Sequence, residues 1–284
     1  MGLYDREYTR ETSRSQYQYA PQLRFGLPQI TPVVKWLLII NIGIFLIALI
    51  IRPLGILIYQ LFPVDPDSLF KILQVWRLVT YQFLHDPTYI WHIFFNMLGL
   101  FFLGPTLERH WGGKKFLIFY LGCGVAGGLF YTLLVALHFL QAGPMVGASG
   151  AILGLLAACA ILFPHFMVII FIFPVPIRVA AIGFTIVYLF LVLTRTENAG
   201  GNAAHLAGMA AGAAYVLFKP WRDKIQLKMQ ADAWEKKLAD ERKLQIELDR
   251  ILQKVHNSGI HSLTSKEKRI LKKATELERK RRGL

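Results

Sequence analysis

The chain has 284 residues, 54% of them hydrophobic, and a mean hydropathy of +0.41; its apolar runs are longer than a soluble core requires, which excludes a water-soluble globular domain and indicates a polytopic helical membrane protein. The net charge of +14 is concentrated at one end, since residues 219–284 hold 19 Lys and Arg against 10 Asp and Glu and so carry +9 of it. No stacking-aromatic platform or zinc-ligand spacing accompanies that charge, which excludes a nucleic-acid partner and leaves attraction to an anionic lipid leaflet as its explanation.

In chain order, residues 1–30 mix aromatics with Gln, Ser and Arg and read as a disordered cytoplasmic N-terminus. Asp5, Glu7 and Glu11 precede any apolar run, so no cleavable signal peptide is expected. Six spans follow at 33–51, 90–107, 116–139, 149–164, 177–194 and 203–218, the fourth and sixth short for the roughly 20 residues that cross a bilayer. Pro164, Pro174 and Pro176 bracket the apolar segment 166–173, which therefore reads as a membrane-embedded connection and not a further span. Arg24, Lys35, Arg109, Lys114, Lys115, Arg178 and the tail from Lys219 fall on one side, against Arg52, Lys71, Arg77 and Arg195 on the other and none in 140–148. That bias places both termini in the cytoplasm. Cys123 and Cys159 both lie inside apolar spans, so no disulfide framework is indicated.

Residues 31–218 thus form the membrane domain and 219–284 a cytoplasmic tail. In the tail, Leu244, Leu248, Ile251, Leu252 and Val255 make one apolar stripe, and Asn257-Ser258-Gly259 a stop. Thr264-x-x-Glu267 is a capping box ahead of a second stripe of Ile270, Leu271, Ala274 and Leu277. The pattern predicts a small αα-hairpin.

With the N-terminus inside, the second, fourth and sixth spans run in the same direction, and His92, Ser149 and His205 each lie near the start of one of them. The three residues therefore share a depth near the outer face. Gly150 and Gly154 are four apart in the fourth span and Gly208 and Gly212 in the sixth, the spacing that lets helix backbones meet in lipid. Ser149 and His205 then form a nucleophile and base pair for attack on a carbonyl. His92 and Asn96, one turn apart on the second span, and the Ser149 amide at a helix start are candidate donors to an oxyanion. No His-Glu-x-x-His occurs and no Asp lies within a span, which removes the zinc and aspartyl routes to intramembrane proteolysis; no metal or cofactor is expected.

These residues resemble the rhomboid intramembrane serine proteases. Gly147-x-Ser149-Gly150, His205 with Gly208 and Gly212, His92 with Asn96, Trp76-Arg77, and Gly104-x-x-x-Glu108-x-x-x-Gly112 carry the resemblance, which spans 30–218. It implies an all-α, six-helix bundle in which Ser149 is the nucleophile and His205 the base of a dyad, with His92 and Asn96 in the oxyanion hole. It further implies single-pass transmembrane proteins as substrates, cut near the outer face within the lipid bilayer; the C-terminal hairpin resembles a short cytoplasmic appendix of some bacterial rhomboids, which implies a bacterial inner membrane. Glu108 and Arg109 read as structural loop fasteners, and Trp76 and Arg77 as an interfacial anchor. Many relatives carry an aromatic residue four after the serine, stacked on the imidazole, where this chain has Leu153. The competing expectation is a catalytically silent scaffold or chaperone that binds membrane helices.

Overall fold

The computed structural model describes residues 28–67, 74–170 and 173–281, so the N-terminal expectation for 1–27 and the loop charge Lys71 lie outside the described residues. Two compact units divide the chain at Val216 and Leu217. The first is mostly helical. Helix α1 spans Pro32–Ile50, α2 Arg52–Leu61, α3 Arg77–Thr80, α4 Ile90–Trp111, α5 Gly113–Ala136, α6 Ser149–Leu162, α7 Ile177–Leu193 and α8 Ala199–Leu217. Among the described residues α1, α4 and α5 are long and apolar enough to cross a membrane, while α6 and α7 are shorter apolar helices. Helix α8 has comparable length, but its Ala- and Gly-rich composition leaves it less apolar.

Helix α1 begins at a proline, which has no N–H to orphan, yet Thr31 before it makes no side-chain cap. Glu108 of α4 supplies the cap instead. Its carboxylate accepts the Val33 N–H at 3.0 Å, the Val34 N–H at 2.9 Å and the Thr31 hydroxyl. The Lys35 N–H reaches the Thr31 carbonyl at 2.9 Å, so every donor of the first turn is satisfied. Arg109 donates to the Gln29 carbonyl at 3.0 Å. Glu108 and Arg109 thus hold the start of the first helix, where a carboxylate also complements the helix dipole.

Residues 52–89, read from sequence as an outside loop, contain α2, α3 and a 3-10 turn at Tyr81–Phe83. Arg77 is a correction to the interfacial-anchor reading: it is buried, and its guanidinium donates to the Gln60 carbonyl at 2.8 Å, the Pro63 carbonyl at 2.9 Å and Gln74 Oε1 at 2.5 Å. A planar fork with several donors can tie strands of chain together in this way. Trp76 stays half-exposed and donates to the Leu61 carbonyl at 3.3 Å.

Helix α6 is the most enclosed element, with every residue from Gly150 to Ala160 buried. It lies against α4, α5 and α7. After it, the segment expected to be a membrane-embedded connection is an antiparallel pair, β1 (Met167–Ile170) with β2 (Phe173–Pro176), in the register Val168 to Val175. The prolines prevent a helix here, and Val and Ile suit a pleated strand whose partner satisfies its backbone.

In the second unit α9 runs unbroken over Lys219–Ser258, well before the first expected stripe, and ends at Gly259 with φ +74°. Helix α10 spans Ser265–Arg281. Thr264 and Glu267 make the reciprocal bonds of a capping box, and Lys254 of α9 reaches both Glu267 carboxylate oxygens at 3.0 Å. Ile251 and Leu263 are buried here, while Leu252 of the first stripe is half-exposed and the Leu277 side chain lies outside those described.

Candidate active site

Ser149 is the first residue of α6, and Ala148 before it offers no side-chain cap, so the amides at this helix start point free of side-chain partners. Gly147 delivers the chain to that point with φ +129°, a value that L side chains rarely adopt. Its N–H donates to the Tyr81 carbonyl at 3.0 Å, and the Tyr81 hydroxyl donates to the Gly124 carbonyl of α5 at 2.6 Å. The serine approach is thus pinned to the folded first loop. A Cβ at Gly147 would lie 2.7 Å from His92 Nε2 and 3.5 Å from Ser149 Oγ, so the missing side chain is what lets His92 and Ser149 share one space.

The second half of the site comes from α8. A Cβ at Gly208 would lie 2.0 Å from the Gly150 carbonyl oxygen and one at Gly212 2.3 Å from that of Gly154, so the backbones of α6 and α8 touch through these two glycine pairs. His205 lies one turn before Gly208 and so shares its face of α8. Ser149 Oγ and His205 Nε2 are 2.6 Å apart, and both residues are only partly buried. If Nε2 accepts the serine proton, the ring proton sits on Nδ1, which is buried without a hydrogen-bond partner among the described residues. Among the described residues no carboxylate bonds that nitrogen to complete a triad. The ring of Tyr188, on α7, meets the imidazole edge to face at a centroid distance of 4.5 Å.

His92 presents one nitrogen to the site. Its Nδ1 accepts the Asp86 N–H at 3.3 Å, which puts the ring proton of the neutral form on Nε2, the atom beside Gly147. His85, in the connection before α4, packs its ring against that of His92 at 5.2 Å. Burial, with His92 adding to it, pushes the His85 imidazole down to about 3, so it is uncharged near neutral pH. Asn96 is buried one turn further on; its amide donates to the His92 carbonyl at 2.7 Å and its Oδ1 has no partner among the described residues.

The structure therefore brings Ser149, His205, His92 and Gly147 together and puts Gly150, Gly154, Gly208 and Gly212 at the helix contact behind them. Trp76, Arg77, Glu108 and Arg109 lie elsewhere, holding helix ends and the first loop. No local pattern in the sequence marks Tyr188 or Tyr81. Each is one hydroxylated aromatic in an apolar setting, and only long-range packing reveals what it faces. Among the described residues no group of three or more His, Cys, Asp and Glu is placed to hold a metal ion.

A serine hydroxyl 2.6 Å from an imidazole nitrogen, beside the free amides of a helix start, is an arrangement that can supply a nucleophile, a base and backbone donors. The Rhomboid domain family matches residues 73–222, more than half of the chain, and residues 235–276 match a family of unknown function, DUF6576. This chain belongs to the rhomboid family and is an integral membrane protein. It is 40% identical over 89 residues to the mitochondrial Rhomboid protein 1 of Saccharomyces cerevisiae, covering 30% of this chain and 25% of that protein. It is 37% identical over 97 residues to the Rhomboid protease GluP of Bacillus subtilis, 34% and 18% of the two chains. With the Rhomboid protease GlpG of Yersinia pestis the identity is 26% over 142 residues, 50% and 48%. The chain spans between 18% and 48% of the length of these three relatives.

Proposed function

We propose that this protein is an intramembrane serine endopeptidase that cuts single-pass transmembrane proteins near the outer membrane face. The observation that carries the reading is the 2.6 Å contact between Ser149 Oγ and His205 Nε2. His205 takes the hydroxyl proton as Oγ attacks the scissile carbonyl, and the tetrahedral oxyanion is met by the Ser149 amide, His92 Nε2–H and the Asn96 amide. The imidazolium then protonates the leaving amine, and the peptide C–N bond breaks to leave an acyl-enzyme on Ser149. Water, deprotonated by His205, attacks the ester and returns the serine. Asn96 takes part once its amide turns from the His92 carbonyl toward the substrate.

In this reading residues 31–218 form a six-helix membrane domain whose termini both lie in the cytoplasm, in a bacterial inner membrane. The 14 residues of α6 extend about 21 Å, less than the roughly 30 Å hydrocarbon layer, so Ser149 sits below the outer surface and water must reach it through an opening at that end. The tail 219–284 is a cytoplasmic helical hairpin, its positive charge drawn to the anionic leaflet.

A fluorophosphonate serine probe applied to the detergent-solubilised protein should label Ser149, and Ser149→Ala should abolish both labelling and proteolysis without unfolding the protein. Cleavage by the alanine variant at the wild-type rate would overturn the enzyme reading. An unlabelled wild type that still binds membrane helices would instead mark a silent scaffold.

A further inference from the structure

Three elements meet at His205, and only two of them carry the reacting groups. The imidazole has one hydrogen bond, to Ser149, while its Nδ1 has no partner among the described residues. A histidine ring turns easily about its last torsion, so one bond at one nitrogen leaves its plane undefined unless something packs on its face. Leu153, one turn after Ser149 on α6, is aliphatic and buried. The aromatic contact comes from α7, where the Tyr188 ring lies 4.5 Å from the imidazole with planes inclined by 63°, and Phe184 stacks behind Tyr188 at 5.9 Å.

We infer that Tyr188 is a positioning residue for the base, so that the seating of α7 sets the orientation of His205 relative to Ser149. The inference rests on the dyad reading above and names a residue outside it. Helix α7 is suited to such a part because it is lightly held. Ile177, Ala180 and Ala181 bury its start and Val192 its end, while Ile182, Ile186, Leu189 and Phe190 between them are exposed. Thr185 touches Met209 of α8 through its hydroxyl at 3.8 Å from Sδ, one helical turn from Tyr188. When α7 is docked, the Tyr188 ring walls the imidazole into the plane that points Nε2 at the serine. When α7 shifts, that wall leaves with it, and the base loses its alignment while Ser149, on α6, stays in place.

The test compares Tyr188→Phe, which keeps the ring, with Tyr188→Leu, which removes it, in the full-length protein. The measurements are the labelling rate of Ser149 by a small fluorophosphonate, kcat and KM on a model substrate, and 15N spectra of the His205 ring. The leucine variant should lose roughly tenfold in labelling rate and kcat with KM unchanged, the range expected from an edge-to-face contact and a modest misplacement. The phenylalanine variant should keep at least about half of the wild-type rate, since the geometry uses the ring and not the hydroxyl. The His205 ring signals should be sharp in wild type and Tyr188→Phe and broadened in Tyr188→Leu. Should the leucine variant not fold, Tyr188→Met, of similar reach, serves the same comparison. Wild-type labelling by Tyr188→Leu, a change confined to KM, or an equal loss in Tyr188→Phe would each overturn the inference while leaving the dyad reading intact. If the wild type itself is never labelled, the dyad reading fails, and the His205 spectra alone then decide whether Tyr188 orders the ring.

Discussion

Gly208 and Gly150 are in direct backbone contact: a Cβ on Gly208 would lie 2.0 Å from the Gly150 carbonyl oxygen and 3.0 Å from its Cα. Neither neighbour is a flexible side-chain end, so α6 and α8 can meet only if position 208 has no side chain. Gly208→Ala should therefore push the helices apart, costing about 1–3 kcal/mol of stability. It should also cost on the order of 100-fold in activity, because Ser149 and His205 separate with them. Gly183→Ala on α7, where a Cβ meets nothing within 4 Å, is the control and should leave activity unchanged and stability equal or slightly higher. Thermal unfolding in detergent and initial cleavage rates check the pair.

Glu108 caps a helix that begins 76 residues before it in the chain. Glu108→Ala leaves the Val33 and Val34 amides without an acceptor in a buried place and should lower stability by about 1–3 kcal/mol. Glu108→Gln keeps one acceptor oxygen and should lose less. Unfolding midpoints of the two variants test the order, and an alanine variant as stable as the glutamine variant would show that the amides find water or another partner.

Glu267 gives a pH dependence to the tail unit alone. Its carboxyl is pulled down to about 2, first by the Thr264 backbone N–H and then by Lys254 and the Thr264 hydroxyl. A carboxyl whose folded value lies below its ordinary 4.5 stabilises the folded form above that ordinary value and loses the contribution as pH falls toward 2. Hydrogen exchange of the α10 amides should therefore speed up between about pH 4.5 and 2 in wild type, beyond the intrinsic trend. Glu267→Gln should exchange faster than wild type near pH 6 and show no such change.

Substrate choice should follow helix instability. A transmembrane helix hides its carbonyls in its own hydrogen bonds, so it must open locally before Ser149 can reach one. Replacing the Gly and Pro residues near the cut in a model substrate with Leu and Ala should slow the initial rate by about tenfold or more. An unchanged rate would leave depth or local sequence as the discriminator.

Much of this protein is legible without coordinates because lipid reduces the possibilities. Long apolar runs must become helices to satisfy their backbones, and that constraint acts locally. Pro32, Gly259 and the Thr264 to Glu267 box mark helix ends by chemistry confined to one turn. The glycine pairs at 150 and 154 and at 208 and 212 announce close helix contact for the same reason, since small residues at a four-residue spacing line one face. The depth expected for the starts of the fourth and sixth spans then makes Ser149 and His205 candidates for one site.

What the chain does not reveal by itself lies between elements distant in sequence. An apolar helix in lipid presents similar side chains on every face, so periodicity cannot say which face meets a neighbour. That is why Glu108 could be read as a fastener but not as the cap of α1, and why Arg77 was expected at the interface and is found buried under three acceptors. The same holds for the paired strands at 167–176, where local signals stopped a helix without specifying its replacement. It holds most for Tyr188. Its position, 17 residues before His205, and the absence of a ring at Leu153 are written in the sequence, but that the Tyr188 ring rests on the imidazole is decided only when α7 and α8 pack together.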